Sequence, residues 1–351
     1  MRAIDLFSGA GGLSLGLKRA GYRVAACVEI NRDAMETYSG HEPDAVHYNQ
    51  DVRSISFEQY RGVVDIVAGG PPCQPFSIGG LRQASLDSRD MIPEFTRCLK
   101  EVQPEAFIME NVPGLLLSRT RPYFDSVLVR LADCGYHLNW AVLNAADYGV
   151  PQKRRRLFVL GSRGSQLRFP APTHGVNGNQ PHAVALAVLG DKPVGEAPCC
   201  AVRYAKNPDL RPSPYAGHVY NGGGRPIDPA GPCHTVLASS GGYKTHWIDT
   251  LGVAPEYHAH LRAGGAPRDG EVPGARRLSV EECAIIQTFP SELVFAGKRS
   301  SQYKQVGDAV PPDLGFMVGS SVFFQLNGRS SGLRLEPFAP QHDCVQCELA
   351  L

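Results

Sequence analysis

Short apolar runs alternate with helical stretches through the first 161 residues of the chain. RAIDLF, RVAACVEI, VVDIVAGG and EAFIMENV each have the length and apolar content of a buried β-strand. Apolar side chains recur at helical spacing in residues 13–21, 31–39, 90–102 and 121–134. Strands that alternate with helices predict an α/β fold, in which helices cover both faces of a mostly parallel sheet.

The carboxyl ends of the predicted strands carry the polar and glycine-rich segments. SGAGG, Glu29, PPCQPF and ENVPG each follow one of these strands. Right-handed crossovers bring the carboxyl ends of parallel strands to one edge of the sheet, where open α/β sheets bind ligands. We therefore expect the functional site at this edge.

The pattern changes after Gly161. Residues 165–275 are rich in Gly, Pro, Asn and His, which predicts a smaller domain of loops and short strands. Helical periodicity returns at RRLSVEECAIIQTFP, where Ser279 and Glu282 have capping-box spacing, and again at PDLGFMVGSSVFFQL. These patterns predict a catalytic and cofactor-binding domain built from 1–164 and 276–327, the smaller domain inserted at 165–275, and a tail at 328–351.

Composition narrows the functional classes. The formal net charge is +1, so any affinity for nucleic acid has to come from local patches. No apolar run is long enough to span a bilayer, the N-terminus lacks a signal-peptide core, and the ten cysteines are scattered. Cys344 and Cys347 have metal-like spacing but no second pair. We expect a cytoplasmic protein with reduced thiols, no metal and no membrane partner.

One cysteine stands in a rigid segment. Pro71, Pro72 and Pro75 fix the backbone on both sides of Cys73, so the thiol points in one direction. The cationic run KRRR, at residues 153–156, follows a later turn. Cationic surroundings would lower the pKa of the thiol and favour a nucleophilic thiolate. No histidine lies in these motifs to act as the base of a papain-like protease.

The glycine turn predicts a nucleoside site without a phosphate cradle. DLFSGAGG lacks both the GxGxxG spacing and the P-loop lysine. Glu29, at the end of the next strand, is placed to hold two ribose hydroxyls. Asp51 is placed to read an adenine amino group, and Phe7 to stack on a ring. Alternatively, the glycines only permit close packing of helix and strand.

Two further groups are predicted at the same edge. Glu110 follows the apolar strand AFIM, and burial there would make it a proton donor near neutral pH. Arg154 and Arg156 share one side of an extended backbone, where they could hold a phosphate or a polar substrate. Alternatively, the arginines belong to a solvated edge strand and Glu110 to a solvated loop.

The chain resembles the DNA (cytosine-5)-methyltransferases over roughly residues 1–161 and 276–325. DLFSGAGG, Glu29, PPCQPFS, ENV, PQKRRR, RRLSVEECAIIQTFP and YKQVGDAVPP follow one another in the order of that family. One block departs from its pattern, because Asp308 stands in GDAVPP where the family has Asn. An aspartate keeps the acceptor of that side chain and loses its donor.

The resemblance implies a Rossmann-like sheet, S-adenosylmethionine as cofactor, and target recognition by residues 165–275. It implies that the Cys73 thiolate adds to carbon 6 of a flipped cytosine, that Glu110 protonates or hydrogen-bonds ring N3, and that carbon 5 takes the methyl group. Arg154 and Arg156 would hold the flipped nucleotide. The implied cofactor site consists of Phe7, Ser8, Gly9, Gly11, Gly12, Leu13, Glu29, Asp51, Pro72 and Asp308.

The resemblance also implies duplex DNA as substrate. Candidate DNA contacts are Gln74, Ser77, Arg225, Thr235 and Lys244. We expect a monomer that belongs to a restriction–modification system, with an endonuclease acting separately, or that acts as an orphan methylase. Three alternatives remain: a tRNA cytosine-5 methyltransferase, a catalytically inactive DNA-binding module, and a nicotinamide-dependent dehydrogenase. The long insert and PQKRRR favour DNA, and a dehydrogenase leaves PPCQ unexplained.

Overall fold

A computed structural model describes residues 1–73, 89–216, 218–221, 224–328 and 332–337. The described part divides into two compact units, the first formed by residues 1–144, 155–172 and the chain from 312 onward, and the second by 145–154 and 173–311. Gln74 and Ser77 lie outside the described residues, as does most of the predicted tail. No described helix combines the length and the apolar character needed to cross a bilayer.

A seven-stranded sheet forms the centre of the first unit. Its strands are β1 (Arg2–Leu6), β2 (Arg23–Val28), β3 (Val46–Tyr48), β4 (Ile66–Gly69), β5 (Ala106–Asn111), β6 (His137–Asn144) and, after the two-residue β7 (Gln152–Lys153) of the second unit, β8 (Arg155–Ser162). The order across the sheet is β3-β2-β1-β4-β5-β8-β6. The helices of this unit are α1 (Gly12–Arg19), α2 (Arg32–His41), α3 (Ile92–Val102), α4 (Arg121–Ala132) and, near the C-terminus, Pro312–Leu326. The α/β prediction is confirmed.

One strand runs against the others, and this places the cationic segment. The pairs among β1 to β5 are parallel, whereas β8 is antiparallel to both β5 and β6. The amino end of β8 therefore lies at the edge where β5 ends, with Asn111 opposite Leu157. The sequence did not indicate β6, whose side chains are only partly buried along most of its length.

Helix α1 packs against the C-terminal helix Pro312–Leu326 with almost no space between the backbones. A Cβ atom at Gly16 would lie 2.4 Å from the Phe316 nitrogen and 2.6 Å from the Pro312 carbonyl oxygen. Real Cβ atoms do not approach backbone this closely, so the two helices would have to separate. Gly16 thus permits the contact that holds the C-terminal helix on the unit containing the sheet.

We expect Gly16→Ala to lower the free energy of unfolding by about 1–3 kcal/mol, because an overpacked contact forces backbone shifts. The matched control is Gly40→Ala in α2, where an added Cβ would meet nothing within 4 Å. That variant should be neutral or more stable, since alanine favours a helix interior over glycine by about 1 kcal/mol. Urea denaturation of both variants measures the difference. Equal stabilities would show that the α1 contact is looser than described.

The second unit contains short strands and several helices. Its strands are β7, β9 (Arg203–Asp209), β10 (His218–Asn221), β11 (Cys233–His234), β12 (Trp247–Asp249) and β13 (Ala275–Arg277). Its helices are α5 (Ala185–Leu189), α6 (Val253–Arg262), α7 (Val280–Ile286) and α8 (Arg299–Asp308), so the C-terminal helix is α9. Trp247 and Tyr257 are fully buried in an apolar cluster of this unit. The sequence indicated loops and short strands here but not helix α6.

The units divide the chain at other points than the predicted domains. The capping box of α7 is present, with Ser279 Oγ accepting from the Glu282 amide at 3.0 Å and Glu282 Oε2 accepting from the Ser279 amide at 2.9 Å. However, α7 packs with α5 and α8 in the second unit. Apolar periodicity identified the helix but not the unit whose core it completes. The predicted boundary at 276 therefore differs from the structural one, which lies at 312.

Candidate active site

The glycine turn after β1 is open on one side. Phe7, Gly9 and Gly11 all have positive φ values, of 58°, 55° and 85°. The Ser8 amide donates to the Val28 carbonyl at 3.1 Å, which fixes the turn beside β2. A Cβ at Gly9 would meet nothing within 4 Å, so a flat or bulky group has access to the backbone there. Gly12 and Leu13 begin α1, below this surface.

Glu29 joins the turn to the end of β2. Its Oε2 atom accepts from the Gly9 amide at 2.9 Å, and its Oε1 atom accepts from the Asn31 amide at 2.7 Å. The carboxylate predicted to hold ribose hydroxyls is therefore fixed beside the open glycine. Ile30, the next residue, is 68% exposed despite being a large apolar side chain. Sequence reasoning missed Ile30; its place directly after the strand-end glutamate was the available signal.

Asp51 follows β3 and Pro72 follows β4, two parallel strands that β2 and β1 separate in the sheet. The Asp51 carboxylate accepts from the Arg53 amide and from Arg53 Nε, both at 3.0 Å. The Arg53 hydrogen bond lowers the pKa of Asp51, so the carboxylate is an acceptor for an amino group. Pro72 is exposed immediately before Cys73.

A buried polar cluster lies beneath the turn. The Ser14 hydroxyl in α1 donates to Asp5 Oδ2 at 2.6 Å and lies 2.6 Å from the Tyr38 hydroxyl in α2. Asp5 is only 1% exposed. Burial raises the pKa of Asp5 to about 7, from an ordinary value of 3.8, and the Ser14 hydrogen bond offsets only part of this shift. The cluster ties β1, α1 and α2 together on both sides of the turn.

The raised pKa of Asp5 predicts a pH-dependent stability. Between pH 3.8 and about 7 the folded state holds more protons at Asp5 than the unfolded state, so this contribution to stability falls as the pH rises. Asp5→Asn removes the titration and keeps an acceptor for Ser14. We expect the stability of Asp5→Asn relative to the wild type to rise by roughly 3 kcal/mol between pH 4.5 and pH 8.

Urea denaturation at the two pH values measures this change, with the exposed Asp44→Asn as control. The control should show a constant difference from the wild type. An equally constant difference for Asp5→Asn would mean that Asp5 titrates in its ordinary range.

Asn111 holds the proline-rich segment around Cys73 on the sheet. The Cys73 thiol donates to Asn111 Oδ1 at 2.8 Å, and the Asn111 amide group donates to the Pro71 carbonyl at 2.9 Å. Cys73 is 9% exposed, so its sulfur lies just beneath the surface. Sequence reasoning did not assign Asn111 a role. Its signal was the position next to Glu110, at the end of the strand beside the proline loop.

Glu110 and Arg156 form an ion pair across β5 and β8. Arg156 Nε lies 2.9 Å from Glu110 Oε1, and both side chains are largely buried. The register pairs Glu110 with Phe158, so Arg156 is its diagonal neighbour on the same face. A Cβ at Gly70 would lie 2.9 Å from Glu110 Oε2, so the carboxylate extends over the glycine that begins the proline loop. The sequence anticipated a buried Glu110 but not its pairing with Arg156.

The expected effect of cationic surroundings on Cys73 is wrong for this structure. Burial, and after it the negative charges of Asp90 and Glu110, raise the pKa of the thiol to about 12. Arg156 is paired with Glu110, whose negative charge it opposes. The thiol is therefore protonated in the absence of substrate.

Arg154 does not share the environment of Arg156. It belongs to the second unit and is fully buried there, where Nη1 donates to the Val236 carbonyl at 3.1 Å and Nη2 to the Gly307 carbonyl at 2.7 Å. Strand β8 begins at Arg155, so the alternation of an extended strand does not reach back to Arg154. The contacts of Arg154 join segments within the second unit. These contacts bind the Arg154 guanidinium to backbone carbonyls and do not provide the predicted contact with a flipped nucleotide.

The remaining predicted residues also lie in the second unit. Asp308 is exposed at the end of α8 and pairs with Lys304. The Thr235 hydroxyl donates to the Lys153 carbonyl at 2.7 Å, and Arg225 Nη1 lies 3.2 Å from His234 Nδ1. Lys244 is exposed. Their roles toward cofactor or DNA stay predictions.

Two solved structures superpose on this chain over nearly their whole length. A putative DNA modification methyltransferase from an Escherichia coli prophage superposes with a TM-score of 0.67 at 22% identity, covering 93% of this chain and 99% of that one. A DNMT2 mutant from Spodoptera frugiperda also gives 0.67, at 17% identity, covering 92% and 99%. These likenesses show a shared Rossmann-like fold.

Sequence comparison identifies the family. The model of the C-5 cytosine-specific DNA methylases matches residues 1–191 and 234–323, and the chain belongs to this family. The type II methyltransferase M1.HphI of Haemophilus parahaemolyticus is 34% identical over 335 residues, covering 91% of this chain and 86% of that protein. M.Eco47II of Escherichia coli is 34% identical over 350 residues, covering 92% and 79%.

Proposed function

We propose that the protein transfers a methyl group from S-adenosylmethionine to carbon 5 of a cytosine in duplex DNA, through a transient covalent bond to Cys73. The observation that carries this proposal is the grouping at the ends of β4 and β5. There the Cys73 thiol donates a hydrogen bond to Asn111. Glu110, the residue before Asn111 in β5, forms an ion pair with Arg156. A nucleophile and a ring-activating carboxyl are thus held on adjacent strands of a rigid sheet.

Cys73 attacks carbon 6 of the base. As the carbon–sulfur bond forms, the electrons of the C5–C6 double bond move to carbon 5 and into the ring toward N3. After carbon 5 has been methylated, its proton leaves to solvent. The electron pair then re-forms the double bond, and the carbon–sulfur bond breaks to return the thiolate. The fixed proline backbone and Asn111 set the direction of approach, and an error of one ångström there can cost ~100-fold in rate.

Glu110 stabilises the charge that the addition creates. Its carboxyl group would share a proton with N3, which spreads the negative charge away from the ring. Arg156 holds Oε1 at 2.9 Å and fixes the plane of the carboxyl group. Arg156 is therefore a positioning residue for Glu110. Because the raised pKa keeps the thiol protonated in the free enzyme, its proton passes to solvent as the sulfur adds to carbon 6.

The cofactor surface fits S-adenosylmethionine. When bound, this group supplies an electrophilic methyl carried on a sulfonium sulfur. The space above Gly9 admits the nucleoside, Glu29 would accept from the ribose hydroxyls, and the exposed Ile30 offers an apolar face for the adenine ring. Asp51 would accept from the adenine amino group, and Phe7 would contribute to the ring's other side. Asp308 completes the proposed set.

The names of the relatives support a proposal for the substrate and its biological setting. M1.HphI and M.Eco47II are named type II methyltransferases, and such an enzyme modifies DNA in a restriction–modification system. We propose the same setting here, with any partner endonuclease acting as a separate protein. Residues Gln74, Ser77, Arg225, Thr235 and Lys244 are the proposed DNA contacts.

Methyl transfer from labelled S-adenosylmethionine to plasmid DNA and to total tRNA tests the proposal. We expect label in DNA alone, recovered as 5-methylcytosine in nucleoside mass spectrometry, and a defined target sequence in bisulfite sequencing of the plasmid. Label in tRNA alone would identify the RNA methyltransferase instead. An absence of transfer to either would support an inactive binding module.

A further inference from the structure

Asp90 lies directly beside Cys73 in the fold. The backbones of Cys73 and Asp90 form an isolated antiparallel bridge, and the Met91 amide donates to the Pro72 carbonyl at 2.9 Å. Asn111 holds the same segment from the β5 side. The backbone of Cys73 is therefore fixed from two directions, by β5 and by the start of α3.

The Asp90 carboxylate joins two helices at this point. Its Oδ1 atom accepts from the Ile92 amide at 3.2 Å, in the first turn of α3. Its Oδ2 atom accepts from the Tyr123 hydroxyl in α4. The Tyr123 ring in turn lies beneath the Arg130 guanidinium, at 5.7 Å from the ring centroid. These contacts fix the position of a negative charge next to the residue that carries the nucleophile.

We propose that Asp90 and Tyr123 are positioning residues for Cys73: the Tyr123 hydroxyl fixes the Asp90 carboxylate, on the residue bridged to Cys73, and the negative charge placed there protects the sulfur from electrophiles until substrate binds. The proposal rests on the role of Cys73 as the nucleophile. It adds to that role a device in the free enzyme that protects the sulfur from electrophiles, since thiolates and not thiols react with them.

The charges around Cys73 support this role for Asp90. After burial, Asp90 is the largest cause of the raised pKa of the thiol, ahead of Glu110. Glu110 faces the site from β5, and Arg156 opposes its charge from β8. Asp90 faces the site from the start of α3, and neutral groups, the Tyr123 hydroxyl and the Ile92 amide, hold it.

Alkylation of Cys73 by iodoacetamide, followed across a pH series by mass spectrometry of the Cys73 peptide, tests the proposal. Asp90→Asn should raise the alkylation rate at pH 8 at least about threefold, since each unit of thiol pKa changes the thiolate fraction about tenfold. Asp90→Glu retains the charge and should restore the wild-type profile. Asp125→Asn removes an exposed carboxylate from α4 and should leave the profile unchanged. An unchanged profile for Asp90→Asn would overturn the proposal.

Tyr123→Phe tests the role of Tyr123 in holding the Asp90 carboxylate. It also keeps the proposal testable if Asp90→Asn does not fold. The substitution removes the hydroxyl and keeps the ring. We expect the alkylation rate of Cys73 at pH 8 to rise, as it does for Asp90→Asn, because the Asp90 carboxylate is no longer held beside Cys73, while KM for DNA stays constant. A change in KM alone, or no change, would overturn the role of Tyr123. The alkylation result needs no methyl transfer, so it separates a failure of this proposal from a failure of the proposed function.

Discussion

Replacing Cys73 with serine is expected to abolish methyl transfer, with a loss of at least about 10³-fold, while binding of the cofactor survives. A serine hydroxyl can donate to Asn111 as the thiol does, so the loop keeps its anchor. It cannot form the carbon–sulfur bond, and a neutral hydroxyl is a far weaker nucleophile. Gly9 and Glu29 lie after other strands, and the substitution leaves them in place.

Single-turnover methylation and calorimetric titration of the cofactor measure the two parts of this prediction. The matched control is Cys134→Ser, because the Cys134 thiol donates to the Arg130 carbonyl and a hydroxyl can replace it. That variant should retain activity. Substantial turnover by Cys73→Ser would mean that the methyl group is transferred without a covalent bond to the enzyme.

Glu110→Gln is expected to lower kcat by about 10²–10⁴-fold, because glutamine cannot share a proton with N3 as the ring becomes negative. The change also removes the partner of the largely buried Arg156. We therefore expect a loss of stability beside the loss of rate, since an unpaired buried charge is costly. Affinity for the cofactor should change little.

The control for stability is Glu101→Gln, which breaks the ion pair of Glu101 with Arg97 at 2.6 Å, in α3. Denaturation and methylation assays of both variants separate folding from catalysis. The account requires that Glu101→Gln lose stability with little loss of rate. If Glu110→Gln loses only stability, N3 is activated by another group.

Some strands and site residues could be predicted from the sequence and others could not, and the difference has physical reasons. Strands β1, β2, β4 and β5 are continuous apolar runs because parallel strands are buried on both faces. The edge strand β6 is partly exposed and mixed in polarity, so no periodicity marked it. Cys73, Glu110 and Glu29 stood out because a proline-rich loop or a strand end fixes each of them locally.

Other features depend on contacts between residues distant in the sequence. The antiparallel direction of β8 and the pairing of Glu110 with Arg156 across 46 positions, 156 minus 110, are set by sheet assembly. The same holds for Asn111 against the proline loop and for Tyr123 against Asp90. Strand alternation in the sequence predicts the same side for Arg154 and Arg156, whereas β8 begins only at Arg155. The local sequence pattern does not identify the first residue of a strand to within one position.

The covalent step can be observed directly. A DNA duplex that carries 5-fluorocytosine at the target position has no carbon-5 proton to lose, so the adduct should persist once the methyl group has been transferred. We predict that the enzyme with cofactor forms a stable complex, and that peptide mass spectrometry places the modified nucleotide on Cys73. If methylation of ordinary duplex proceeds but no adduct with Cys73 forms on the fluorinated duplex, the account is contradicted.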